Sequence, residues 1–135
     1  MALIQPLILA AGHGVRMGSD LPKPLVAVAG KPMIAHLLET IRQSDFLLKP
    51  VIVVSRNSPV PSALGDSYQY LVQEKQGGTG HAVACAREAL QGKSDYTLVL
   101  YADQPFIRTA TLQAITERHI QENAVMTVTT LVVQN

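Results

Sequence analysis

Glycines and basic side chains that could bind phosphate are concentrated near the amino terminus, in the segment LILAAGHGVRMGSDLPKPL (residues 7–25). Gly12 and Gly14 follow a short apolar run, and glycine lets backbone N–H groups approach an anion closely. Arg16 and Lys23 follow in the same segment, and their side chains offer phosphate oxygens a planar fork and a point charge. The pattern predicts a phosphate-binding loop. An ordinary strand-to-helix loop with solvated charges is the alternative interpretation.

The two common glycine-rich phosphate motifs do not fit this segment. A dinucleotide fingerprint needs a third glycine where the chain has Met17, and Gly18 comes one residue too late. The acidic residue that would hold a ribose is also missing, because the second apolar run ends in Ser55 and Arg56. A Walker motif fails too, since no Gly-Lys-Ser/Thr follows Gly12 at the required spacing. If this loop binds phosphate, it does so through neither of these two motifs.

The composition indicates one globular domain without a general attraction for polyanions. The 135 residues suit a single core, 47% of them are hydrophobic, and the net charge is +1. Cys85 is the only cysteine, so no intrachain disulfide can form, and no apolar run reaches the length of a membrane span. No export signal is recognised at the amino terminus. We expect a cytoplasmic domain with neither nucleic acid nor membrane as a partner.

Apolar runs that alternate with amphipathic segments predict the fold class. Buried strands are predicted at 7–10, 51–54, 68–73, 96–102 and 124–133. Helices are predicted over 31–43, over 81–90 and from Thr109, and a loop over 57–66. This order predicts an α/β domain of Rossmann-like, three-layer α/β/α architecture with a mostly parallel sheet. Ligands of such sheets bind beyond the carboxyl ends of the strands, where the turns after Ala11 and Gln73 should meet Asp103.

Four segments carry a family resemblance: LAAGHGVRMGSDLPKPL, AGKPMIAHLLET, LVQEKQGGTGHAVACA and LVLYADQPFI. In order and spacing they resemble the nucleotidyltransferases that make nucleotide sugars. Among these they resemble the uridylyltransferase domain of the bifunctional UDP-N-acetylglucosamine pyrophosphorylase / glucosamine-1-phosphate acetyltransferase family. The resemblance covers nearly the whole chain and implies a fold of the nucleotide-diphospho-sugar transferase type. It also implies that residues 1–135 form a nucleotide-binding domain that stops before the family's sugar-binding half.

The resemblance assigns roles to the residues that match the family's motifs. Arg16 and Lys23 match the catalytic basic residues that neutralise charge as the α-phosphate is attacked. Asp103 matches the aspartate that holds Mg²⁺, with a turn residue as the alternative interpretation. Gln73 matches the residue that reads the uracil edge, although it could simply end a strand, and His81 is interpreted as a structural hydrogen-bonding residue. The nucleotide-binding residues implied are Leu9, Ala10, Ala11, Gly12, His13, Gly14, Lys23, Gln73, Gly78 and Thr79.

The reaction implied by the resemblance is a Mg²⁺-dependent transfer of UMP from UTP to N-acetylglucosamine-1-phosphate. The products are pyrophosphate and UDP-N-acetylglucosamine, a peptidoglycan precursor. Such an in-line displacement depends mainly on positioning and electrostatics. Two alternatives stay open. One is a related nucleotidyltransferase with another acceptor, similar to the molybdopterin guanylyltransferases or to the cytidylyltransferases, and the other is a non-catalytic nucleotide-binding module.

Some features of the chain depart from the family pattern. The chain has His13 where Lys is common, Val15 where Thr is common, and Ala102 where Gly precedes the metal aspartate. The family's next segment, which supplies most of the sugar pocket, has no counterpart here. A domain that ends at this point would leave a strand edge and apolar surface bare, so we expect either self-association into a homo-oligomer or marginal stability.

Overall fold

The computed structural model describes residues 1–12 and 20–133, and its main element is a four-stranded parallel sheet. The strands are β1 (Ile4–Leu9), β2 (Ala27–Val28), β3 (Lys31–Pro32), β4 (Val51–Ser55), β5 (Gln69–Gln73) and β6 (Tyr96–Tyr101). The helices are α1 (Met33–Arg42), α2 (Val60–Leu64), α3 (Thr79–Cys85), α4 (Arg87–Leu90) and α5 (Thr109–Gln121). The parallel sheet has the order β5-β4-β1-β6, and β2 and β3 form a small antiparallel hairpin.

The central strand β1 divides the core into two layers. Leu7 and Ile8 have no exposed surface, and neighbouring side chains of a strand point to opposite faces of the sheet. Ile8 belongs to a cluster that includes Leu37 of α1 and Leu112 of α5. Leu7 belongs to a second cluster, which includes Ala82 of α3. Helices therefore cover both faces of the sheet, and the predicted three-layer α/β/α architecture is confirmed.

Helix α1 follows the spacing of its apolar residues. It begins directly after Pro32, whose fixed φ of −54° suits the entry to a helix. Its fully or nearly fully buried residues are Met33, Ile34, Leu37, Leu38 and Ile41. The predicted helix over 31–43 is confirmed, with both ends one or two residues inside the prediction. Within residues 1–12 and 20–133, no helix is long and apolar enough to cross a membrane.

The predicted strand over 124–133 is wrong. This segment has no regular secondary structure, and Val125, Leu131 and Val132 have 102%, 93% and 92% of their surface exposed. A strand is stable only when its backbone groups pair with a neighbour, and no described strand pairs with this segment. The apolar pattern of this segment is typical of a strand, but a strand also needs a neighbouring strand to pair with, and the pattern carries no information about one.

Two further segments differ from the prediction. The region 57–66, predicted as a loop, contains α2, because Val60 is fully buried in the core and prolines are tolerated in a first helical turn. The helix predicted over 81–90 begins earlier, at Thr79, and is interrupted. It is interrupted at Ala86, whose φ and ψ of −88° and −4° end α3 before α4 begins.

We predict that Leu37→Ala lowers the free energy of unfolding by about 2–5 kcal/mol, because it leaves a cavity at a fully buried position of α1. Urea denaturation followed by circular dichroism measures this change. Arg42→Ala, in the same helix but with an exposed side chain, is the control and should shift the midpoint much less. Equal shifts in the two variants would contradict the described packing of α1.

Candidate functional site

A cavity of about 350 Å³ lies at the carboxyl ends of the parallel strands. It begins where β1, β5 and β6 end, which is the edge at which ligands of parallel sheets bind. The residues that line it are Leu9, Ala10, Ala11, Gly12, Lys23, Pro24, Gln73, Gln76, Gly78, Thr79, Ala82, Tyr101, Ala102 and Asp103. The cavity thus joins three segments that are far apart in the sequence.

Most of the site residues predicted from the sequence lie in the wall of this cavity. They are Leu9, Ala10, Ala11, Gly12, Lys23, Gln73, Gly78, Thr79 and Asp103. His13, Gly14 and Arg16 were also predicted, and they lie outside the described residues. The structure therefore brings the described candidates together, while the role of each one stays a prediction.

The floor of the cavity is formed by small residues that extend the sheet. Ala10 N–H donates to Val53 O at 2.8 Å, and Ala102 N–H donates to Leu9 O at 3.1 Å. These bonds continue the parallel pairing beyond the ends of β1 and β6. Ala10, Ala11 and Ala102 are 3%, 4% and 1% exposed, and their small side chains leave room for a ligand above the sheet edge.

A direct ion pair joins two of the predicted site residues, Lys23 and Asp103. The Lys23 ammonium donates to Asp103 Oδ2 at 2.6 Å, across 80 positions of the sequence. Lys23 begins a short 3₁₀ turn, Lys23–Leu25, which is bounded by Pro22 and anchored by the buried side chain of Leu25. The two charged side chains are 39% and 37% exposed, so solvent and ligands can reach them.

Among the described residues that line the cavity, Asp103 is the only one with a carboxylate side chain. Within the part of the chain that the structure describes, no group of three His, Cys, Asp or Glu residues could hold a metal ion. Mg²⁺ commonly takes one or two carboxylates and fills its other positions with substrate phosphates and water. The donor set therefore fits a divalent cation that binds together with phosphates, rather than one held by the protein alone.

The other polar part of the cavity is uncharged and centres on Gln73. This residue ends β5 and is only 3% exposed. Its Nε2 donates to Gly78 O at 3.3 Å and contacts His81 Nδ1 at 3.0 Å. Gly77 lies beside the His81 ring, and a Cβ at this position would come within 2.6 Å of the ring. The turn between β5 and α3 is thus packed around the Gln73 amide.

Gln76 is a cavity residue to which the sequence reasoning gave no role. Its Nε2 donates to Ala11 O at 2.8 Å and ties the turn after β5 to the end of β1. Pro24, Ala82 and Tyr101 also line the cavity without having been predicted to do so. Gln76 lies in the sequence between Gln73 and Gly78, and this position is the signal that could have identified it as a cavity residue.

Comparisons with known proteins identify relatives of this chain. Residues 6–132 match the family model of the MobA-like NTP transferase domain. The chain is 43% identical over 126 residues to the bifunctional protein GlmU of Exiguobacterium sp. (strain ATCC BAA-1283 / AT1b). That match covers 93% of this chain but 28% of the relative, so the chain spans little more than a quarter of that protein's length.

Solved structures share the fold. A nucleotidyl transferase from Methanothermobacter thermautotroptrophicus has a TM-score of 0.71 at 22% identity, with 85% of this chain and 57% of that chain covered. Rv0371c from Mycobacterium tuberculosis, in complex with manganese, has a TM-score of 0.68 at 20% identity, with 86% and 59% covered. At these identities the two structures support the architecture of the sheet and helices.

We predict that the charged part of the cavity contributes little to folding. Lys23→Met and Asp103→Asn should each change the free energy of unfolding by less than about 1 kcal/mol, because half-exposed ion pairs stabilise proteins weakly. Gln73→Ala should cost about 1–3 kcal/mol, because it removes an almost fully buried side chain together with its two hydrogen bonds. Urea denaturation compares the three variants. An Asp103→Asn variant that fails to fold would contradict the prediction that the ion pair contributes little to stability.

Proposed function

Because the chain belongs to the MobA-like NTP transferase family, we propose that its cavity binds a nucleoside triphosphate, with UTP as the nucleotide. The observation that carries the proposal is the pairing of Lys23 with Asp103 in the same cavity as the buried amide of Gln73. Cationic, metal-binding and base-reading groups of a nucleotide site would then share one surface.

The spacing of the strands supports an extended ligand. Gln73 ends β5 and Asp103 follows β6, and the strands β4 and β1 lie between them. Three strand spacings separate the outer strands, which corresponds to roughly 14 Å along the edge of the sheet. This length accommodates a nucleotide whose base lies near Gln73 and whose phosphates lie near Lys23 and Asp103.

The proposed chemistry is nucleotidyl transfer to a sugar-1-phosphate, with N-acetylglucosamine-1-phosphate as the acceptor. The identity to GlmU and the family model support it. In-line attack on the α-phosphate needs aligned reactants and stabilised charge rather than covalent help from the protein. The backbone at Gly12 would cradle phosphate oxygens, and Arg16 and Lys23 would neutralise charge that develops in the transition state.

A divalent cation belongs to the same proposal, with Asp103 as its protein ligand and Mg²⁺ as the ion. When bound, the cation would neutralise negative charge on the phosphates. Asp103 accepts from the Lys23 ammonium through Oδ2, and its other oxygen, Oδ1, is the atom through which it would bind the cation. The Lys23 ammonium has three hydrogens, so it can also donate to a phosphate oxygen.

We also propose a product and a location for this activity. The product UDP-N-acetylglucosamine is a peptidoglycan precursor, which fits a cytoplasmic location. The family model describes a MobA-like domain, so a nucleotidyltransferase with another acceptor is the second candidate. Since the chain covers 28% of the relative, a module that binds nucleotide without turnover is the remaining alternative.

We predict that UTP binds more tightly than CTP or ATP and that Mg²⁺ strengthens its binding. Calorimetric titrations with UTP, CTP, GTP and ATP, each with and without Mg²⁺, measure this. Asp103→Asn should reduce the gain from Mg²⁺ roughly tenfold or more, whereas Lys23→Met should weaken UTP binding with and without Mg²⁺. Asp66→Asn makes the same chemical change away from the cavity lining and is the control. Absence of binding by all four nucleotides would overturn the proposed function of this chain.

We also predict self-association through the β6 edge. In the described part of the chain no strand pairs with the outer side of β6, and apolar side chains of 125–133 are exposed. Light scattering should give a mass above 14.5 kDa that rises with concentration. Thr97→Lys, an exposed position on β6, should lower that mass, whereas Gln121→Lys on α5 should not. A stable monomer at all concentrations would contradict the prediction.

A further inference from the structure

We propose that His81 is a positioning residue, which orients the Gln73 amide so that its carbonyl oxygen faces the nucleobase. The inference rests on the proposed function, because it concerns the base-reading part of the same cavity. It changes the expectation drawn from the sequence in one respect. The Gln73 amide would not offer a donor and an acceptor to the base, but an acceptor alone.

The orientation of the amide follows from its two neighbours. Gly78 O is a carbonyl oxygen and can only accept, so the Gln73 atom that lies 3.3 Å from it must be the amino group. The same amino group lies 3.0 Å from His81 Nδ1. Since an amide nitrogen only donates, Nδ1 must be the acceptor. This contact corresponds to the His81 tautomer whose ring hydrogen is on Nε2.

The rotated amide is disfavoured by the same geometry. Rotation by half a turn would place Gln73 Oε1 against Gly78 O, and the two oxygens would repel each other. A hydrogen on His81 Nδ1 would favour the rotated amide but would not remove this repulsion. The tautomer of His81 and the orientation of Gln73 are thus linked, and Gly78 O and the accepting Nδ1 of His81 together favour the orientation with Oε1 turned away from both.

Glycine at position 77 allows the ring to occupy this place. A Cβ built on Gly77 would lie 2.6 Å from His81 Cγ, 2.7 Å from its Cβ and 2.9 Å from its Nδ1. These distances are too short for any side chain unless the ring moves. The position of the His81 ring therefore depends on the absence of a side chain at residue 77, independently of the hydrogen bond to Gln73.

The oriented amide favours one class of base. The amino group of Gln73 is bound to Gly78 O and His81. Its carbonyl oxygen, Oε1, is available to a ligand, because no protein group in the described residues donates to it. An acceptor can pair with the ring N–H of uracil at N3. Cytosine carries a lone pair at the same ring atom, which would repel Oε1. The arrangement therefore selects uracil over cytosine. His81 contributes to this selection although it does not contact the base itself.

The test compares the affinities of UTP and CTP by calorimetry in wild type, His81→Phe, His81→Asn and Gly77→Ala. His81→Phe keeps a ring without an acceptor, and the UTP-to-CTP affinity ratio should fall roughly tenfold. Gly77→Ala displaces the ring and should lower the ratio as well. His81→Asn retains an acceptor near the place of Nδ1 and should largely preserve the ratio. Inorganic triphosphate with Mg²⁺ probes the phosphate end, and its affinity should be equal in all four proteins.

The outcomes separate this inference from the proposed function. Wild type that prefers UTP, with an unchanged ratio in His81→Phe and Gly77→Ala, overturns the positioning role and leaves the proposed function in place. A loss in His81→Asn as large as in His81→Phe also overturns it, since packing alone would then explain the effect. Wild type that binds no nucleotide overturns both.

Discussion

The burial of β1 on both faces is the constraint on which the rest of the structure depends. Leu7 and Ile8 point to opposite sides of the sheet and are both fully buried. One face must therefore be covered by α1 and α5 and the other by α3. Covering both faces requires crossover connections between parallel strands, and these bring the carboxyl ends of the strands to one edge. The cavity exists because β1 ends there without a bulky side chain.

The residues at that edge combine two different physical environments. Lys23 and Asp103 are partly exposed, and their charges suit phosphates and a divalent cation. Gln73 is buried, and its amino group contacts the backbone carbonyl of Gly78 and the ring of His81. Charged groups contribute affinity that any nucleoside triphosphate can use, whereas a buried amide of fixed orientation distinguishes one base from another. Under the proposed function, affinity and specificity would come from different parts of the same cavity.

Much of the fold could be predicted because its signals are local. The apolar runs of β1 and β4, and the apolar spacing of α1, are each contained within a few neighbouring residues. The strand predicted over 124–133 failed because a strand depends on a partner elsewhere in space, and composition carries no information about that partner. Helix α2 was missed for a related reason, since the burial of Val60 depends on the core around it.

The candidate site shows the same difference between features that neighbouring residues determine and features that depend on residues far apart in the sequence. The rule that ligands bind beyond the strand ends was enough to bring Ala11, Gln73 and Asp103 to one cavity. The contact between Lys23 and Asp103 spans 80 positions and needs the three-dimensional path of the chain. The residue type alone does not tell which end of the Gln73 amide faces a ligand. A side-chain amide carries both an amino group that donates and a carbonyl oxygen that accepts.

The contacts around Gln73 show how residues of a short turn can fix the orientation of a neighbouring side chain. The residue types of the turn alone do not indicate this. Gly77 admits the ring of His81, the ring accepts from the amide, and the amide is then unable to present its amino group to a ligand. Each step is a steric or hydrogen-bonding requirement, and none involves a charge. A substitution at residue 77 would therefore act on base recognition although that residue has no side chain. Glycines in such turns can carry specificity through the space they leave to a neighbour, as well as through backbone conformation.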